Sequence, residues 1–225
     1  MKIPFWKVES IGNNFVLVHL DDVSLLGENG RESELLTVLA VAACEKRYGI
    51  GSDGLLAVSQ DGDGTLILRM FNPDGTEDFC GNGIRCAFDH ALRQGWLAPG
   101  EMRMTHFGIP VSGSAQHLAD HAKGSLSAIR HAMHRTPYLI HTQLPPASYR
   151  PEDIPIARER EIFDSAIARV DGEVYTGSVL STGTAHTILP VRTLPHDEEF
   201  FRVSPQIERD PLFPERTSVM WVHEL

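Results

Sequence analysis

Residues 71–86, with the sequence FNPDGTEDFCGNGIRC, constrain the fold of this chain more than any other segment. An Asn-Pro-Asp-Gly turn leads into Cys80-Gly-Asn-Gly, after which apolar residues recur at helical spacing: Ile84, Phe88, Ala91 and Leu92. This pattern predicts a helix that begins near Gly81 and ends near Gly95. A helix N-terminus presents free N–H groups and the positive end of the helix dipole. We therefore expect Cys80 to lie beside backbone amides that attract anions.

A thiol in that position has a specific chemistry. The helix N-terminus is expected to lower the pKa of Cys80 toward a reactive thiolate. The same N–H groups offer a binding site for a carboxylate, and the flanking glycines let a ligand approach the backbone closely. The combination suits a base that removes a proton from a carbon bearing a carboxylate.

The other two cysteines, Cys44 and Cys86, are interpreted as packed core thiols because each falls within a predicted helix. A Cys80–Cys86 disulfide is excluded if the helix starts at Gly81, since six helical residues rise about 9 Å. That exceeds the roughly 7 Å that a disulfide spans. A Cys-x5-Cys pair also lacks the usual ligand spacing of zinc.

Strands and turns surround this helix in the first half of the sequence. Residues 4–19 predict a strand, a turn at Gly12 and a second strand over residues 15–18. Residues 32–46 predict an amphipathic helix with Leu35, Leu36, Leu39 and Ala43 on one face. Residues 55–71 predict a hairpin with an Asp-Gly turn at 61–64.

The second half predicts mainly strands. Residues 167–175 form a hairpin around Asp-Gly, and residues 186–191 and 217–224 are strands, whereas the proline-rich residues 144–155 are a loop. We find no helix after residue 192 that would cover the apolar face of this sheet. Because such a face must pack against something, we expect the covering element to come from elsewhere or to be absent.

Composition sets the broader limits. The chain has 225 residues, with 20 basic and 30 acidic side chains and a net charge of −10, which argues against nucleic acid as a partner. No apolar run reaches the roughly 18 residues of a membrane span, and residues 1–10 have no secretory h-region. Three cysteines do not make a disulfide framework, so we expect a cytoplasmic thiol protein that binds no membrane.

Histidine is frequent between residues 117 and 141, at His117, His121, His131, His134 and His141. The segment HLADH lacks the glutamate of the HExxH zinc motif, so these histidines are interpreted as solvated or packed, with no metal site. His186 follows a glycine turn at the start of a predicted strand, and taken by itself it is an ordinary histidine.

The segment at 71–86, together with IGNNF (11–15) and YGIGSDGLL (48–56), resembles the diaminopimelate epimerase family. Further matches are THFG (105–108), STGTAH (181–186) and LFPERTSVMWV (212–222). They run in family order across residues 5–110 and 173–222, whereas residues 111–172 match loosely. The family comprises cofactor-independent amino-acid epimerases and racemases of lysine and cell-wall synthesis.

The resemblance implies an α+β fold of two similar domains, each a curled mixed β-sheet around a central helix. The N-terminal domain would be residues 1–113 and would carry Cys80. Residues 114–225 would form an incomplete second domain, with the active site in the cleft between the two.

The resemblance also implies the chemistry, which needs neither pyridoxal phosphate nor a metal. One thiolate removes the α-proton of an amino-acid substrate, and an opposing thiol delivers a proton to the other face. By motif, Cys80 is one of these thiols and His186 is the histidine that promotes its thiolate. The implied substrate-binding residues are Asn13, Asn72, Thr184, Ser218 and the backbone N–H groups of Gly81 and Asn82. A homodimer is compatible with the family.

Three departures from the family pattern bear on function. Thr184 and Ala185 stand where the family has Asn-Pro, and Ser218 stands where it has Asn, so the distal end of the substrate would meet hydroxyls in place of amides. The segment before Cys80 is one residue shorter than usual. The family's later Cys-Gly-Thr-Gly motif, which carries the second catalytic cysteine, does not occur in these 225 residues, and we expect a missing segment on the order of 50 residues.

Three functions remain open at this stage. The first is an amino-acid epimerase, with diaminopimelate or another amino acid as substrate. The second is a one-base isomerase on the same fold, which exchanges a proton or shifts a double bond without inversion. The third is a non-catalytic protein, or a half-site that needs a partner.

Overall fold

The computed structural model describes residues 2–25, 31–118 and 137–223. The chain divides into two compact units, unit 1 over Met1–Leu144 and unit 2 over Pro145–Leu225. The division falls after residue 144 and not after residue 113, because a single strand runs through residue 113 and the next strand pairs with it.

Unit 1 is built on a mixed sheet of seven described strands that neighbour one another in sequence order. The strands are β1 (Trp6–Ser10), β2 (Asn13–His19), β3 (Gly54–Gln60), β4 (Leu66–Phe71), β5 (Gly100–His106), β6 (Ile109–His117) and β7 (Tyr138–Gln143). The pairs β2–β3 and β4–β5 are parallel and the other neighbouring pairs are antiparallel. The predicted first hairpins are confirmed, with β1 and β2 joined at Ile11-Gly12 and β3 and β4 joined at 61–65.

Helices lie on both faces of this sheet. On one face, α3 (Gly81–Arg93) packs against both edge strands, β1 and β7, so the sheet curls around it. On the other face lie α1 (Leu20–Ser24) and α2 (Glu32–Cys44). Strand β3 is therefore buried on both sides, with Leu56 facing α3 and Leu55 facing α2. This arrangement explains its continuous apolar sequence, which is typical of strands covered on both faces.

The start and end of α3 agree with the sequence expectation, and so does the burial of its apolar face. Ile84 and Phe88 are fully buried against strands of the sheet. Cys86 on α3 and Cys44 on α2 are 4% and 2% exposed, so the interpretation of both as core thiols is confirmed. All three cysteines are free thiols.

Unit 2 contains a four-stranded sheet with the order β11-β10-β9-β8. The strands are β8 (Ser165–Val170), β9 (Glu173–Ser181), β10 (Ala185–Val191) and β11 (Ser218–His223). The predicted hairpin of β8 and β9 turns at Asp171-Gly172, where both residues have positive φ angles of 51° and 88°, as a type I′ turn requires. A short 3-10 turn, Pro151–Asp153, lies in the proline-rich loop.

The expectation that no helix covers this sheet is wrong. Helix α4 (Asp197–Glu208) buries Val203 and Ile207 against the residues of β8 to β10. The sequence does not predict this helix because Pro205 lies inside it. Glu and Asp in a first turn are favourable, however, since they face the positive end of the helix dipole.

Among the residues that the structure describes, no helix combines the length and apolar character needed to cross a membrane.

Candidate active site

Cys80 is the N-cap residue of α3, as the sequence predicts. Its backbone is extended, with φ −142° and ψ 107°, and its sulfur accepts a hydrogen bond from the Gly83 N–H at 3.4 Å. The Cys80 carbonyl accepts the first helical bond, from Ile84 N–H at 3.1 Å. The thiol therefore occupies the place where Ser or Asp usually caps a helix, and its sulfur faces the positive end of α3.

The Cys80 backbone N–H donates to the imidazole of His106. Its nitrogen lies 2.8 Å from His106 Nε2, and His106 Nδ1 lies 3.0 Å from the Leu68 carbonyl oxygen. A carbonyl oxygen can only accept, so Nδ1 must carry the proton and Nε2 must be the acceptor. His106 is 0% exposed, and burial lowers its pKa from the usual histidine value. The ring is thus neutral, with a defined tautomer.

The sheet places His106 at this point. Strands β4 and β5 are parallel, and Leu68 and His106 are register partners across them. The alternation of β5 turns Met102, Met104 and His106 inward. The His106 ring stacks on Phe79, with centroids 4.9 Å apart and an interplanar angle of 24°. In the sequence, His106 stands out only as part of the THFG family match, and the signal that could identify it is its inward-facing position as the last residue of β5.

The thiol does not have the low pKa expected from the sequence. Burial raises the pKa of Cys80 above its usual value, and the hydrogen bonds from the Gly83 and Asn82 N–H groups lower it by less. Asp78 raises it further, whereas Arg85 acts in the opposite direction. The physical reason is that Cys80 packs against the apolar core of unit 1, and desolvation penalises the charged form. Without a substrate or a base, Cys80 is therefore a protonated thiol at neutral pH.

Arg85 is a second residue that sequence reasoning missed. Its guanidinium donates to the Asn82 side-chain oxygen and to Ser10 Oγ, the latter at 2.9 Å. It lies one helical turn from Asn82 on the same face of α3, a spacing that favours such contacts. The Asn82 side chain is therefore held by Arg85, which leaves its backbone N–H to interact with the sulfur and, by prediction, with a substrate carboxylate.

Two asparagines of unit 1 were predicted to bind substrate. Asn72 begins the Asn-Pro-Asp-Gly turn, and its side-chain amide donates to Thr76 Oγ1 at 3.1 Å, so part of its capacity serves its own loop. Asn13 is half-buried at the start of β2, opposite Ser10. The neighbouring Asn14 bonds to Asp53 Oδ2 at 2.6 Å and thereby ties β2 to the loop before β3.

Unit 2 brings three predicted residues together. His186 Nδ1 lies 2.8 Å from the Thr184 carbonyl oxygen, so Nδ1 is the protonated nitrogen and Nε2 is left as an acceptor. Ser218, which is exposed, is the register partner of His186 in the parallel pair of β10 and β11. Gly183, with φ 109°, lets the chain turn tightly before Thr184.

A cavity of about 710 Å³ lies in unit 1 between β1, α3 and β7. Arg85, Cys86, His90 and Arg93 contribute to its wall, together with residues of the two edge strands. Cys80 does not line it. The cavity is therefore a separate feature from the thiol at the start of α3.

No group of three or more potential metal ligands occurs among the described residues. Of the histidine-rich segment, His117 lies on β6 and His141 on β7. The rings of His117 and Tyr138 contact each other, with their centroids 4.9 Å apart. His121, His131 and His134 lie outside the described residues.

The fold is that of the amino-acid racemases and epimerases. A probable proline racemase from Agrobacterium radiobacter K84 matches this chain with a TM-score of 0.61 at 10% sequence identity, covering 98% of this chain and 66% of that one. Identity at this level indicates a common fold. It confirms the expected α+β architecture, with a curled mixed sheet around a helix.

The sequence relatives define the family more narrowly. The diaminopimelate epimerase of Moorella thermoacetica is 32% identical over 222 residues, which are 98% of this chain and 71% of that protein. The diaminopimelate epimerase of Alkaliphilus metalliredigens is 30% identical over 220 residues, covering 97% and 70%. No family model matches the chain. The chain belongs to the diaminopimelate epimerase family and is an epimerase-type isomerase, which confirms the resemblance seen in its motifs.

Proposed function

We propose that Cys80 is an acid/base thiol that exchanges the α-proton of an amino acid, in the manner of a cofactor-independent epimerase. The observation that carries the proposal is the position of Cys80 as N-cap of α3 in a chain of this family. Its sulfur faces helix N–H groups, which also suit a substrate carboxylate. A reacting carbon bonded to that carboxylate would therefore lie close to the sulfur.

The proposed step is balanced within the substrate and the thiol. The Cys80 thiolate takes the α-proton and becomes a thiol, while the electron pair of the C–H bond passes to the α-carbon and the adjoining carboxylate. The charge that develops on the carboxylate oxygens is stabilised by backbone N–H groups aimed at it. Return of the proton from sulfur restores the original configuration, and delivery from a second acid on the opposite face inverts it.

The raised pKa of Cys80 means that this step needs a base to form the thiolate. The family resemblance gives that role to His186, and its hydrogen bonding supports the role. Because Nδ1 donates to the Thr184 carbonyl, Nε2 carries the lone pair and can accept a proton. We propose that His186 promotes the Cys80 thiolate, as a histidine does in other cysteine-based catalysts.

Diaminopimelate is the proposed substrate, since the relatives at 30% identity or more are named for it. Thr184 and Ser218 would bind its distal amino-acid end through hydroxyl groups. A hydroxyl is shorter than an amide and offers fewer donors. Another amino acid is the alternative substrate that these two residues leave open.

Inversion requires a second acid, and the other two thiols of the chain do not meet that need. Burial raises the pKa of Cys86 to about 12, and it also raises the pKa of Cys44. Both side chains are buried in the core of unit 1. We therefore propose that these 225 residues catalyse α-proton exchange much faster than inversion.

The experiment is proton NMR of the reduced, purified chain in D2O with L,L- and meso-diaminopimelate, followed by a panel of other amino acids. Deuterium uptake with retained configuration is the expected result. Uptake with inversion at a comparable rate would contradict the proposed lack of a second acid. Absence of uptake from every amino acid would overturn the proposed function and favour a binding role.

A further inference from the structure

His106 has a role that neither the motifs nor the relatives assign. Its imidazole accepts the hydrogen bond of the Cys80 backbone N–H, with 2.8 Å between the Cys80 nitrogen and His106 Nε2. This N–H belongs to the N-cap residue itself, so no helical carbonyl can receive it. Without an acceptor, this part-buried N–H would lose the hydrogen bond that it would otherwise make to water. His106 supplies that acceptor and fixes the peptide from which the reactive side chain projects.

His106 Nε2 can accept this hydrogen bond only while the imidazole ring is neutral. Neutral His106 donates from Nδ1 to the Leu68 carbonyl and accepts at Nε2. When the ring takes up a proton, Nε2 becomes an N–H donor that faces the Cys80 N–H donor. The bond to Cys80 is then lost, and two donors stand in contact in a buried setting.

We propose that neutral His106 is a positioning residue for Cys80, and that its protonation displaces Cys80 and stops proton exchange at low pH. The inference rests on the proposed role of Cys80. It adds a specific acid-sensitive element to that role, located in β5 and outside the helix that carries the thiol.

Burial of His106 favours a neutral ring at physiological pH, whereas the acidic side chains nearby favour the protonated ring. Desolvation is the largest influence and lowers the pKa of His106, while the Leu68 carbonyl, Glu77 and Asp78 act in the opposite direction. Glu77 is itself paired with Arg69 at 2.6 Å, and the Asp78 carboxylate accepts the Phe79 N–H at 2.7 Å. The Phe79 ring stacks on the imidazole, and the Cys80 backbone N–H donates to it. Protonation therefore falls below the usual histidine range.

Two substitutions of His106 separate its role as a hydrogen-bond acceptor from its ability to take up a proton. His106→Gln places a side-chain oxygen near the position of Nε2, so it can accept the Cys80 N–H, and it does not titrate. His106→Leu removes both functions at similar size. His90→Leu is the matched control, since His90 is also a buried histidine in contact with the core of unit 1 but lies at the other end of α3.

The first measurement is the pH profile of α-proton exchange. In the wild-type chain, the logarithm of the rate falls with slope 1 as the thiolate is lost, and then with slope 2 below the pKa of His106. His106→Gln is expected to keep slope 1 throughout and to retain the rate at pH 8 within about tenfold. His106→Leu is expected to lose about 100-fold at pH 8, the scale of a 1 Å misplacement. Equal rates in His106→Leu and His90→Leu, or slope 2 in His106→Gln, would overturn the proposal.

The second measurement does not depend on catalysis. Nitrogen-15 NMR of the histidine rings is expected to show a protonated Nδ1 in His106, and the Cys80 amide signal should shift as His106 titrates. Both are recorded in the wild-type chain and in Cys80→Ser, which retains the backbone N–H. A protonated Nε2 in neutral His106, or a Cys80 amide signal that does not shift with pH, would refute the positioning role even if exchange is observed. If exchange is absent while these signals appear, the proposed function of Cys80 fails and the hydrogen bond stands.

Discussion

The two ends of α3 each bury a histidine, and they use it differently. At the N-terminal end, His106 is bonded to the backbone on both sides, to Cys80 N–H and to the Leu68 carbonyl. Toward the C-terminal end, His90 Nε2 lies 2.8 Å from His19 Nε2, so one neutral ring donates to another. Trp6 and Trp96 enclose this pair, with Trp6 stacked on His19 at 4.4 Å. The first histidine binds the backbone of Cys80, whereas the second completes a packed aromatic cluster.

The same comparison shows that burial outweighs the helix dipole at both ends. The positive N-terminus should lower the pKa of Cys80, and the negative C-terminus should raise that of His90. Desolvation instead raises the pKa of Cys80 and lowers that of His90 to about 4. Dipole effects amount to roughly 0.3–1 kcal/mol, whereas full burial shifts a pKa by up to about 3–5 units. A helix end is therefore a favourable position for a charge of the opposite sign, but packing determines whether the group there is charged.

The sharpest test of this contrast uses the two cysteines on and beside α3. Cys80→Ser should lower α-proton exchange by at least about 1,000-fold, because a hydroxyl is far less acidic than a thiol and cannot act as the base at neutral pH. Cys86→Ala should leave exchange near the wild-type rate, since Cys86 is buried in the core and its pKa is raised to about 12. The measurement is deuterium uptake at pH 8 under reducing conditions.

An exchange rate for Cys80→Ser within tenfold of the wild-type rate would mean that another residue is the base.

The wild-type exchange rate should also continue to rise with pH through the range in which an ordinary thiol ionises, since the pKa of Cys80 is raised. A plateau below that range would mean that substrate or His186 lowers the pKa more than burial raises it.

Much of the region around Cys80 could be predicted because its signals are local. The Asn-Pro-Asp-Gly turn and the glycines near Cys80 set the start of α3, and alternation or Asp-Gly pairs set the hairpins. The motif also identified the family. These features depend on residues within one or two turns of each other, which is the range over which sequence patterns are informative.

The parts that could not be predicted depend on contacts between distant segments. His106 reaches Cys80 only because β4 and β5 pair in parallel with Leu68 opposite His106. The raised pKa of Cys80 follows from its packing against the core, and α4 forms although Pro205 lies inside it. Register, burial and tertiary cover of a sheet are not encoded in any short window of sequence.

The histidine at the other end of α3 should make folding stability depend on pH. The pKa of His90 is about 4 in the folded chain against an ordinary value of 6.5, so its contribution is full above pH 6.5 and is lost as the pH falls toward 4. For His90 the loss between pH 7 and pH 5 is about 2 kcal/mol. The pKa values of His19 and His106 are also lowered and act with the same sign.

Urea unfolding of the wild-type chain and of His90→Leu at several pH values measures this contribution. The variant is expected to lose less stability on acidification, by the amount assigned to His90, whatever its stability at pH 7. If the free energies of unfolding of the two proteins change in parallel with pH, His90 is not the group that takes up the proton.

The smallest expected effect distinguishes two glycines within the first turn of α3. A Cβ at Gly83 would lie 2.9 Å from Leu56 Cδ2, a fully buried side chain, whereas a Cβ at Gly81 would lie 3.4 Å from Leu144 Cδ1. Overpacking costs about 1–3 kcal/mol, and replacing a helical glycine by alanine returns about 0.5–1 kcal/mol. Gly83→Ala should therefore lose about 1 kcal/mol, and Gly81→Ala should be neutral or slightly stabilised in urea unfolding. Equal stabilities would mean that Leu56 moves aside without cost, and that the packing of β3 does not fix the start of α3 beside Cys80.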